Sequence, residues 1–562
     1  MKKLLNSILA FALIAGFLTL QSCSEDETPK QTSNEITSLS VSGGTSVSSG
    51  NRYIVEVPAG TDLTNIMVNL EVSEGATVTP ESGQAVDFST GWVTYEVTSE
   101  SGSTQAFEVY VTNDGTVTYN SGTYTDADFF GAFDYYLVAT EDYLFDGLVY
   151  IEEGSSINIP AGTMVKFVGS PTTGDNTSSL IIAAGAQIFA EGTATDPIIF
   201  TAQNDDDSGT TYLATDNAQW GGLIILGNAP ASKGGVTQGI AIEGISSEET
   251  RGQYGGNNPD DNSGILKYVS IRYTGIGLAV GDEIQGLTLG GVGAGTTIDY
   301  IDIFSTADDG IEIFGGTVNI KHISVAFSTD DDFDFDLGWR GNAQFLFSLF
   351  RSDADGFDHA GEWDGASPDG ADLFAAPNVY NYTAVGPGQD APQGGKAILM
   401  RDAFGGKLVN SVFVDFPSYA IEIEDRTDTD VDSYGRLTTE VQGYRTEVLN
   451  NTWSQFGNYD GTVESVVLAS EDDGALITDV VAELADNNNT ITNDLAITSL
   501  NRGTVSADDV VLDPRPATND TNVITNVPNG IEAVNYRGAF SAGEPTWLSG
   551  WSTLSKFGYV TE

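Results

Sequence analysis

The chain has 562 residues and a formal net charge of −58, from 22 Lys and Arg against 80 Asp and Glu. A field of this sign repels nucleic acid and anionic lipid, which excludes nucleic-acid partners. With 40% hydrophobic and only 18% charged residues, the chain is not a disordered acidic polymer. Its 65 glycines are typical of a β-rich, turn-rich extracellular protein, and its length allows more than one domain.

An export signal is predicted over residues 1–22. Two lysines precede an apolar run over residues 4–20, and the only cysteine, Cys23, lies at the expected cleavage site. The run could alternatively be a short membrane anchor. The four residues that end at Cys23 resemble a bacterial lipobox, which implies acylation of this cysteine. We therefore expect residues 23–35 to form a flexible acidic tether that joins the protein to a lipid anchor.

The tether begins with an acidic run, residues 24–27. This run resembles the surface-export signal of Bacteroidota lipoproteins, although it could also be a solvated linker. The resemblance implies a protein anchored in the outer membrane and facing the cell exterior.

Residues 36–113 contain short runs in which apolar and polar residues alternate, such as 53–57 and 92–97. This period of two, with Gly, Ser and Pro between the runs, predicts an antiparallel β-sandwich. The segment resembles the immunoglobulin-like spacer domains of Bacteroidota surface lipoproteins. Such a domain would lift the following domain off the membrane.

From residue 120 onward the sequence repeats about every 23 residues. Acidic motifs recur at 308–313, 330–336 and 353–359, and glycine-bearing turns follow the same period. A repeat of this length is too short for a helix-turn-helix unit and lacks the pattern of leucine-rich repeats. The spacing predicts a parallel β-helix over 120–562, whose coils stack about 4.8 Å apart.

Alternation within each predicted strand assigns side chains to the inside or the outside of the coil. Ile311, Ile313, Phe333, Phe335 and Phe357 are expected to point inward. Glu312, Asp334 and Asp358 are expected to point outward, and they form one column with Thr288. A parallel column holds Asp309, Asp331 and Asp355.

Columns of like charge need relief from repulsion. Two carboxylates about 4.8 Å apart repel by about 3.5 kcal/mol at an effective dielectric of 20. Extracellular Ca²⁺ takes six to eight oxygen ligands and would relieve this repulsion. The alternative is a solvated acidic face with splayed side chains. The predicted calcium ligands are Asp308, Asp309, Glu312, Asp330, Asp331, Asp334, Asp355 and Asp358.

A weaker metal candidate is the run Asp428, Asp430 and Asp432, which matches the start of an EF-hand loop. Its glycine, Gly435, comes two positions late, so a polar turn is the alternative. Zinc is not expected, because the chain has only two histidines and His322 falls in a column of aromatic residues.

The C-terminal third departs from the repeat. Residues 425–530 are expected to hold insertions. Apolar residues at helical spacing predict a short amphipathic capping helix over about 545–558, because the open end of a solenoid needs a cap.

Several segments resemble a group of largely uncharacterised Bacteroidota surface lipoproteins with right-handed β-helix domains. The resemblance covers most of 120–562 and implies a fold and a location, but no catalytic residues. Some members are encoded beside nutrient-uptake outer-membrane transporters, which makes such a transporter a candidate partner. The segments that carry the resemblance are 147–200, 220–227, 308–316, 338–341 and 547–559.

Three functions remain open at this stage. The first is a binding platform for a glycan or a transporter, with Trp339 and Trp363 as candidate sugar-stacking residues. The second is a structural or adhesive surface protein. The third is an enzyme.

A polysaccharide lyase would use a basic residue, Arg340, Arg401 or Lys396, beside acids such as Asp334 and Asp358. A glycoside hydrolase would use two carboxylates. A groove that holds Arg340 or Arg401 within about 5 Å of two or more acidic side chains would favour the enzyme, as positioning of a reacting group requires such proximity. A smooth acidic wall would favour binding.

Overall fold

The structure is a computed structural model. It describes residues 30–139, 142–279, 282–352, 358–368, 370–392, 395–426, 431–470, 477–503 and 509–561. The predicted signal peptide and Cys23 lie outside these residues. Among the helices described, none has the length and hydropathy that crossing a bilayer requires.

The N-terminal domain consists of two small sheets with their own core, which includes the fully buried Val55, Val68 and Tyr95. Alternation over Ile66–Val72 puts every second side chain into this core. The first sheet contains Ile36–Val41, Ile66–Val72 and Ala85–Val86. The second contains Thr45–Ser49, Arg52–Glu56, Thr77–Thr79, Val93–Thr98 and Thr104–Thr112.

The rest of the chain is a parallel β-helix, as predicted, built on two long sheets. Within the described residues, sheet 1 has ten parallel strands: Leu148–Ile151, Ser179–Ile182, Leu223–Leu226, Leu287–Gly290, Ile311–Phe314, Phe333–Asp336, Gly361–Asp364, Ile398–Arg401, Ile421–Glu424 and Val467–Ser470.

Sheet 2, as far as the structure describes the chain, has eighteen parallel strands: Thr116–Tyr119, Gly122–Tyr124, Asp134–Leu137, Asp142–Phe145, Ser156–Pro160, Met164–Phe167, Gln187–Glu191, Ile198–Ala202, Gly264–Thr274, Thr297–Thr306, Asn319–Ala326, Asn342–Leu349, Asn378–Val385, Lys407–Val409, Val412–Phe416, Glu447–Leu449, Thr452–Phe456 and Thr490–Thr492.

The core lies between the sheets and is filled by the inward residues of each coil. Ile311, Ile313, Phe333 and Phe335 are fully buried there, which confirms their predicted direction. Burial of such a side chain contributes about 1.5–3 kcal/mol, so one continuous core stabilises the stack without disulfides. Phe357 lies outside the described residues.

A ladder of residues in the left-handed conformation crosses the middle of four neighbouring strands of sheet 2. Tyr268, Tyr300, His322 and Phe345 have φ between +49° and +58°, and their rings stack at centroid distances of 4.4, 4.2 and 4.9 Å. A bulky residue in this region is strained, so stacking between successive coils is needed to hold it there. The predicted placement of His322 in an aromatic column is confirmed.

The C-terminal segment packs along this ladder. An α-helix is present only at Thr553–Lys556, so the predicted helix over 545–558 is wrong in extent. Gly550, with φ of +80°, breaks the helical path. The edges of Trp547 and Trp551 contact the ladder rings, so the segment covers the side of the β-helix and not its open end.

The predicted break over 425–530 is wrong in part, because strands of the repeat continue to Thr490–Thr492. The coil-forming strands there keep the inward apolar pattern and stack in register. The inserted elements are the helices Ser433–Thr438 and Ile477–Asp486, the 3-10 turn Glu464–Val466, and the hairpin Ser499–Arg502 with Val510–Asp513.

A long excursion of the chain between the Leu223–Leu226 and Gly264–Thr274 strands covers part of the outer face of sheet 1. Its residues Ile240, Ile242, Ile245 and Tyr254 pack on outward side chains of the sheet, such as Phe314. Burial, with the charges of Asp336, Glu312 and Glu243, raises the pKa of Tyr254. The outward residues near Glu312 are therefore removed from solvent. The remaining short elements are Leu63–Asn65, Asp126–Asp128, Ile240–Ala241, Thr250–Gly252, Gln253–Tyr254, Gly277–Ala279 and Asp282–Glu283.

Candidate metal centre

The acidic motifs lie where two adjacent coils turn into sheet 1. Asp308 and Asp309 precede Ile311–Phe314, and Asp330 and Asp331 precede Phe333–Asp336. The coils are in register, with Glu312 opposite Asp334, and the backbone N–H of Asp331 donates to Asp309 Oδ1 at 3.0 Å. Successive turns therefore bring acids of one coil directly against those of the next.

Three groups of three side chains could each hold a metal ion. Within each group, the ligand atoms all lie within 4.8 Å of one another. The groups are Asp309, Glu312 and Asp334; Asp308, Asp309 and Asp330; and Asp331, His359 and Glu362. We call these eight residues the acidic cluster.

The acidic cluster is largely buried. Asp331 is 2% exposed, Glu312 6% and Asp309 7%, although strand alternation turns Glu312 outward. An ionised carboxylate at such a place needs a counter-charge, since removing it from water is expensive.

Several oxygens and nitrogens of the acidic cluster lack partners. Glu312 Oε2 and Asp334 Oδ1 have no hydrogen-bond partner among the described residues, and neither has His359 Nε2. His359 Nδ1 lies 2.9 Å from Asp331 Oδ1. A buried acceptor left unsatisfied costs about 1–3 kcal/mol, so these atoms point to a missing partner.

Burial is the main cause of raised pKa values throughout the acidic cluster. It raises the pKa of Asp308 to about 7, together with the charge of Asp330, and that of Asp330 to about 6, together with Asp358. The pKa values of Asp309 and Glu312 also lie well above the usual range, because burial and neighbouring carboxylates disfavour the ionised form. Without a cation, the acidic cluster therefore retains protons near neutral pH.

The geometry suits a hard divalent cation. Ca²⁺ binds oxygen at about 2.3–2.6 Å, so two of its ligands lie up to about 5 Å apart. The 4.8 Å limit within each group satisfies this distance. Asp309 belongs to two groups and could bridge two ions. Carboxylate ligands of this kind favour Ca²⁺, Mg²⁺ or Mn²⁺ over softer metals.

Six of the eight predicted calcium ligands lie in the acidic cluster, and two do not. Asp355 lies outside the described residues. Asp358 is exposed and joins no group, because Glu362 takes the position opposite Asp334. The prediction for Asp358 is wrong, since Glu362 comes 28 residues after Asp334 and the previous step is 22. The longer connection before Gly361–Asp364 thus places Glu362, and not Asp358, opposite Asp334.

Two cations border the acidic cluster on the outer face of sheet 1. Arg401 lies 2.5 Å from Glu362 and 2.7 Å from Asp364, and Lys396 lies 2.6 Å from Glu422. The Arg401 contacts meet the distance part of the criterion for an enzyme, which also requires a groove. Although burial opposes the charge of Arg401, the two carboxylates raise its pKa, which makes the guanidinium a poor proton acceptor.

Arg340 lies elsewhere, so its predicted role beside the acids is wrong. Its guanidinium carbon lies 4.8 Å from the ring centroid of Phe374 and 4.6 Å from that of Tyr444. Arg340 Nε donates to the backbone oxygen of Phe374 at 3.1 Å. These aromatic contacts, and not a carboxylate, hold the side chain.

Both candidate sugar-stacking tryptophans are fully buried. Trp363 lies opposite Phe335 in sheet 1, and its ring stacks on that of Phe335 at 5.5 Å. Trp339 contacts the same ring at 4.5 Å, and its Nε1 donates to Val318 O. The prediction of a ligand-binding role is wrong for both, because strand alternation and the corner of the coil place them in the core.

The weak EF-hand candidate is not assembled in the described structure. Asp428 and Asp430 lie outside the described residues. Asp432 caps the helix Ser433–Thr438 by accepting from Gly435 N at 2.6 Å, and its other oxygen accepts from Arg426 N at 2.8 Å. Asp432 therefore acts as a helix cap in the described structure, and the metal role of the three aspartates stays a prediction.

Sequence reasoning missed Glu362 and the contribution of His359. A signal for Glu362 was present, because Glu362-Trp363-Asp364 alternates in the same way as Asp334-Phe335-Asp336. The packing of residues between two coils, which brings His359 to Asp331, leaves no such signal.

The stacked coils, preceded by a small N-terminal domain, define a protein of the parallel β-helix class. Residues 129–456 match the pectate-lyase-like β-helix domain family. Because this match covers more than half of the chain, the protein belongs to that family. Residues 36–111 match the N-terminal domain of SGBP, the surface glycan-binding proteins. Together the two matches class the chain with carbohydrate-related proteins of the cell surface.

Other similarities are local. No curated protein matches the sequence. A protein from Bacteroides thetaiotaomicron, provisionally called a glycoside hydrolase, is 27% identical over 15% of this chain and 26% of its own, with a TM-score of 0.14. A provisionally assigned secreted protein from Bacteroides fragilis is 19% identical over 14% of this chain and 95% of its own, with a TM-score of 0.12. The chain thus spans about a quarter of the first protein, and neither likeness carries an argument.

Proposed function

We propose that the protein is a surface carbohydrate-binding protein whose β-helix is stabilised by Ca²⁺ in the acidic cluster. The observation that carries the calcium site is the pair of unpartnered oxygens, Glu312 Oε2 and Asp334 Oδ1, on adjacent strands. A cation between them would satisfy both atoms and cancel the repulsion of their carboxylates. Asp309 would supply a third ligand.

Glycan binding is supported by the SGBP match of residues 36–111 and by the β-helix family. A parallel β-helix offers a rigid surface along which a polymer can lie. The acidic cluster would hold the coils of this surface in register through Ca²⁺. A nutrient-uptake transporter in the outer membrane is the proposed partner, to which the protein would pass captured glycan.

Calorimetric titration of chelator-treated protein with CaCl₂ tests the metal site. We expect binding of one or two ions, and the variant Glu312→Gln should lower the affinity about 100-fold, since it removes one of three carboxylates. Glu191→Gln is the matched control, because Glu191 is an exposed acid on an outer strand face. Absence of binding in the unaltered protein would overturn the proposed calcium site.

Retention of the protein on immobilised glycans tests carbohydrate capture. Neutral and uronate polysaccharides should be compared with Ca²⁺ and with chelator. We expect retention on at least one glycan, reduced in chelator. Failure to bind any glycan while Ca²⁺ still binds would leave a structural or adhesive role.

Surface anchoring through Cys23 is tested in cells. Cys23→Ala should release the protein from the membrane fraction, and protease added to intact cells should digest the anchored form. Retention of the Cys23→Ala variant in the membrane, or protection of the anchored form from protease, would contradict the proposed location.

A calcium-dependent polysaccharide lyase is the second candidate, and the position of Arg401 favours it. Arg401 contacts Glu362 of the acidic cluster and Asp364, so a bound uronate would lie beside it. The raised pKa of Arg401 argues against its acting as a base. Formation of unsaturated products that is lost in Arg401→Lys, which keeps the charge, would establish this activity.

A further inference from the structure

A polar cavity lies where the N-terminal domain meets the β-helix and the long excursion of the chain. Its volume is about 580 Å³, within the range of about 300–1,000 Å³ that is typical of ligand pockets, which are frequent at domain interfaces. Ser49 of the N-terminal domain, Tyr150 of sheet 1 and Arg251 of the excursion all line it. An ion pair between Arg52 and Asp128, at 3.0 Å, holds the N-terminal domain beside it. Parts of the chain that are distant in sequence therefore form one cavity.

The hydroxyl group of Tyr150 lacks a partner in the protein. Tyr150 is 3% exposed, its ring centroid lies 4.0 Å from the guanidinium carbon of Arg251, and its backbone N–H donates to Asp126 Oδ1. Among the described residues nothing bonds to its hydroxyl, which is not sealed off as that of Tyr95 is and so opens into the cavity. Burial, followed by the charge of Glu249, raises the pKa of Tyr150, so the hydroxyl keeps its proton. A buried donor of this kind needs a partner, which a ligand in the cavity would supply.

The charged groups of the cavity wall are held in place before any ligand binds. Arg251 pairs with three carboxylates: Asp126 at 2.9 Å, Glu249 at 2.8 Å and Glu152 at 3.1 Å. Asp175 accepts from Leu148 N and Thr173 Oγ1 through Oδ2 alone, so within the described ranges its Oδ1 stays open as an acceptor. The wall thus offers a donor and an acceptor whose surroundings are already ordered, which lowers the entropy cost of binding.

The chemistry of the wall suits a neutral sugar. Hydroxyl groups make up much of the wall, from Ser49, Thr125, Tyr150, Thr173 and Ser246. The wall also carries three carboxylates and one arginine, so its net charge is negative and repels uronates and sulfated glycans. An adjoining cavity of about 240 Å³ shares Leu148, Asp175 and Ser246 with the first and gives room for a second sugar unit.

We infer that this cavity is the site at which the protein binds a neutral glycan, with Tyr150 donating to one sugar hydroxyl and Asp175 accepting from another. The inference rests on the proposed carbohydrate binding and gives it a place and a class of sugar. Three strands of sheet 1 lie between the strand of Tyr150 and that of Glu312. The glycan site and the proposed calcium site therefore share no ligand.

Calorimetric titration with oligosaccharides in the presence of CaCl₂ tests the inference. The probes are neutral trisaccharides of glucose, xylose, mannose and galactose, with trigalacturonate as the anionic probe. We expect at least one neutral trisaccharide to bind more tightly than trigalacturonate. Tighter binding of trigalacturonate, or no binding of any neutral probe, would overturn the inference. The proposed carbohydrate binding fails as well only if no immobilised polysaccharide retains the protein.

Substitution locates the site. Tyr150→Phe removes only the unpartnered hydroxyl, so the affinity for the neutral trisaccharide should fall about threefold to tenfold while the melting temperature stays constant. The matched control is Tyr95→Phe, which removes an unpartnered hydroxyl from the core of the N-terminal domain and should leave the affinity unchanged. Ser246→Leu, at an exposed position that both cavities share, fills space and should lower the affinity at least tenfold. Unchanged affinity in Tyr150→Phe or in Ser246→Leu would overturn the inference and leave the proposed carbohydrate binding in place.

Discussion

The substitution Glu312→Gln should change stability in opposite directions with and without calcium. In the metal-free protein, Glu312 lies within 4.8 Å of ligand atoms of Asp309 and Asp334. Glutamine has nearly the same shape but no charge, and its amide can donate to Asp334. The variant should therefore stabilise the metal-free protein and weaken calcium binding.

The size of both effects follows from the geometry. Two ionised carboxylates at this distance repel by about 3.5 kcal/mol at an effective dielectric of 20, and uptake of a proton limits the cost. We therefore expect a gain of about 1–3 kcal/mol in the unfolding free energy of the metal-free variant. Calcium at about 100 times its Kd adds about 2.7 kcal/mol, and the variant should lose most of this.

Denaturant unfolding at about pH 8, where the carboxylates ionise most, measures both quantities in chelator and in calcium. Glu191→Gln, the exposed control, should change neither. A Glu312→Gln variant that is less stable than the unaltered protein in chelator, with an unchanged calcium response, would refute the reasoning.

Three further outcomes are expected. The chelator-treated protein should lose stability as pH rises from about 4 to 7. Asp308 and Asp330, with folded pKa values of about 7 and about 6, hold protons in this range that the unfolded chain has released. Denaturant midpoints that stay constant across this pH range would contradict the prediction. Trp339→Phe should destabilise the β-helix by about 1–3 kcal/mol and leave retention on glycans unchanged, since the indole is buried. Weaker glycan retention at unchanged stability would instead assign Trp339 to glycan binding. Asp302→Ala should expose the C-terminal segment to limited proteolysis, because Asp302 accepts from both Thr553 N and Thr553 Oγ1; unaltered protease resistance would count against this docking.

The periodic part of the fold could be predicted from the sequence. Glycine turns and alternating strands repeat at a nearly fixed interval, so the placement of Glu312 opposite Asp334 was correct. The position of Asp358 could not be predicted in this way, because the next connection is longer and the period alone does not show a change in loop length. Glu362 took the position instead.

Burial of the outer face could not be predicted in this way. Alternation shows that Glu312 points away from the core, but not that Ile242 and Tyr254, far back in the sequence, fold over the same face. The position of Arg401, the cation beside the acidic cluster, likewise depends on a contact between coils. Arg401 reaches Glu362 because their strands are neighbours in sheet 1, although they are 39 residues apart in the chain.

Packing also decided the role of aromatic residues. Trp363 occupies an inward position of its strand, in line with Phe335. The acids on either side of Trp363 suggested a surface site, but the period of two assigns Glu362 and Asp364 to one side and the indole to the other. The period of two in this strand therefore predicts that Trp363 points into the core.

The most direct test of the calcium site is a crystal structure grown with Ca²⁺, with anomalous diffraction recorded to locate the ion. A calcium ion bound here would give an anomalous peak among Asp309, Glu312 and Asp334, about 2.3–2.6 Å from Glu312 Oε2 and Asp334 Oδ1. No peak there, with these two carboxyl groups sharing a proton in a direct hydrogen bond, would contradict the claim.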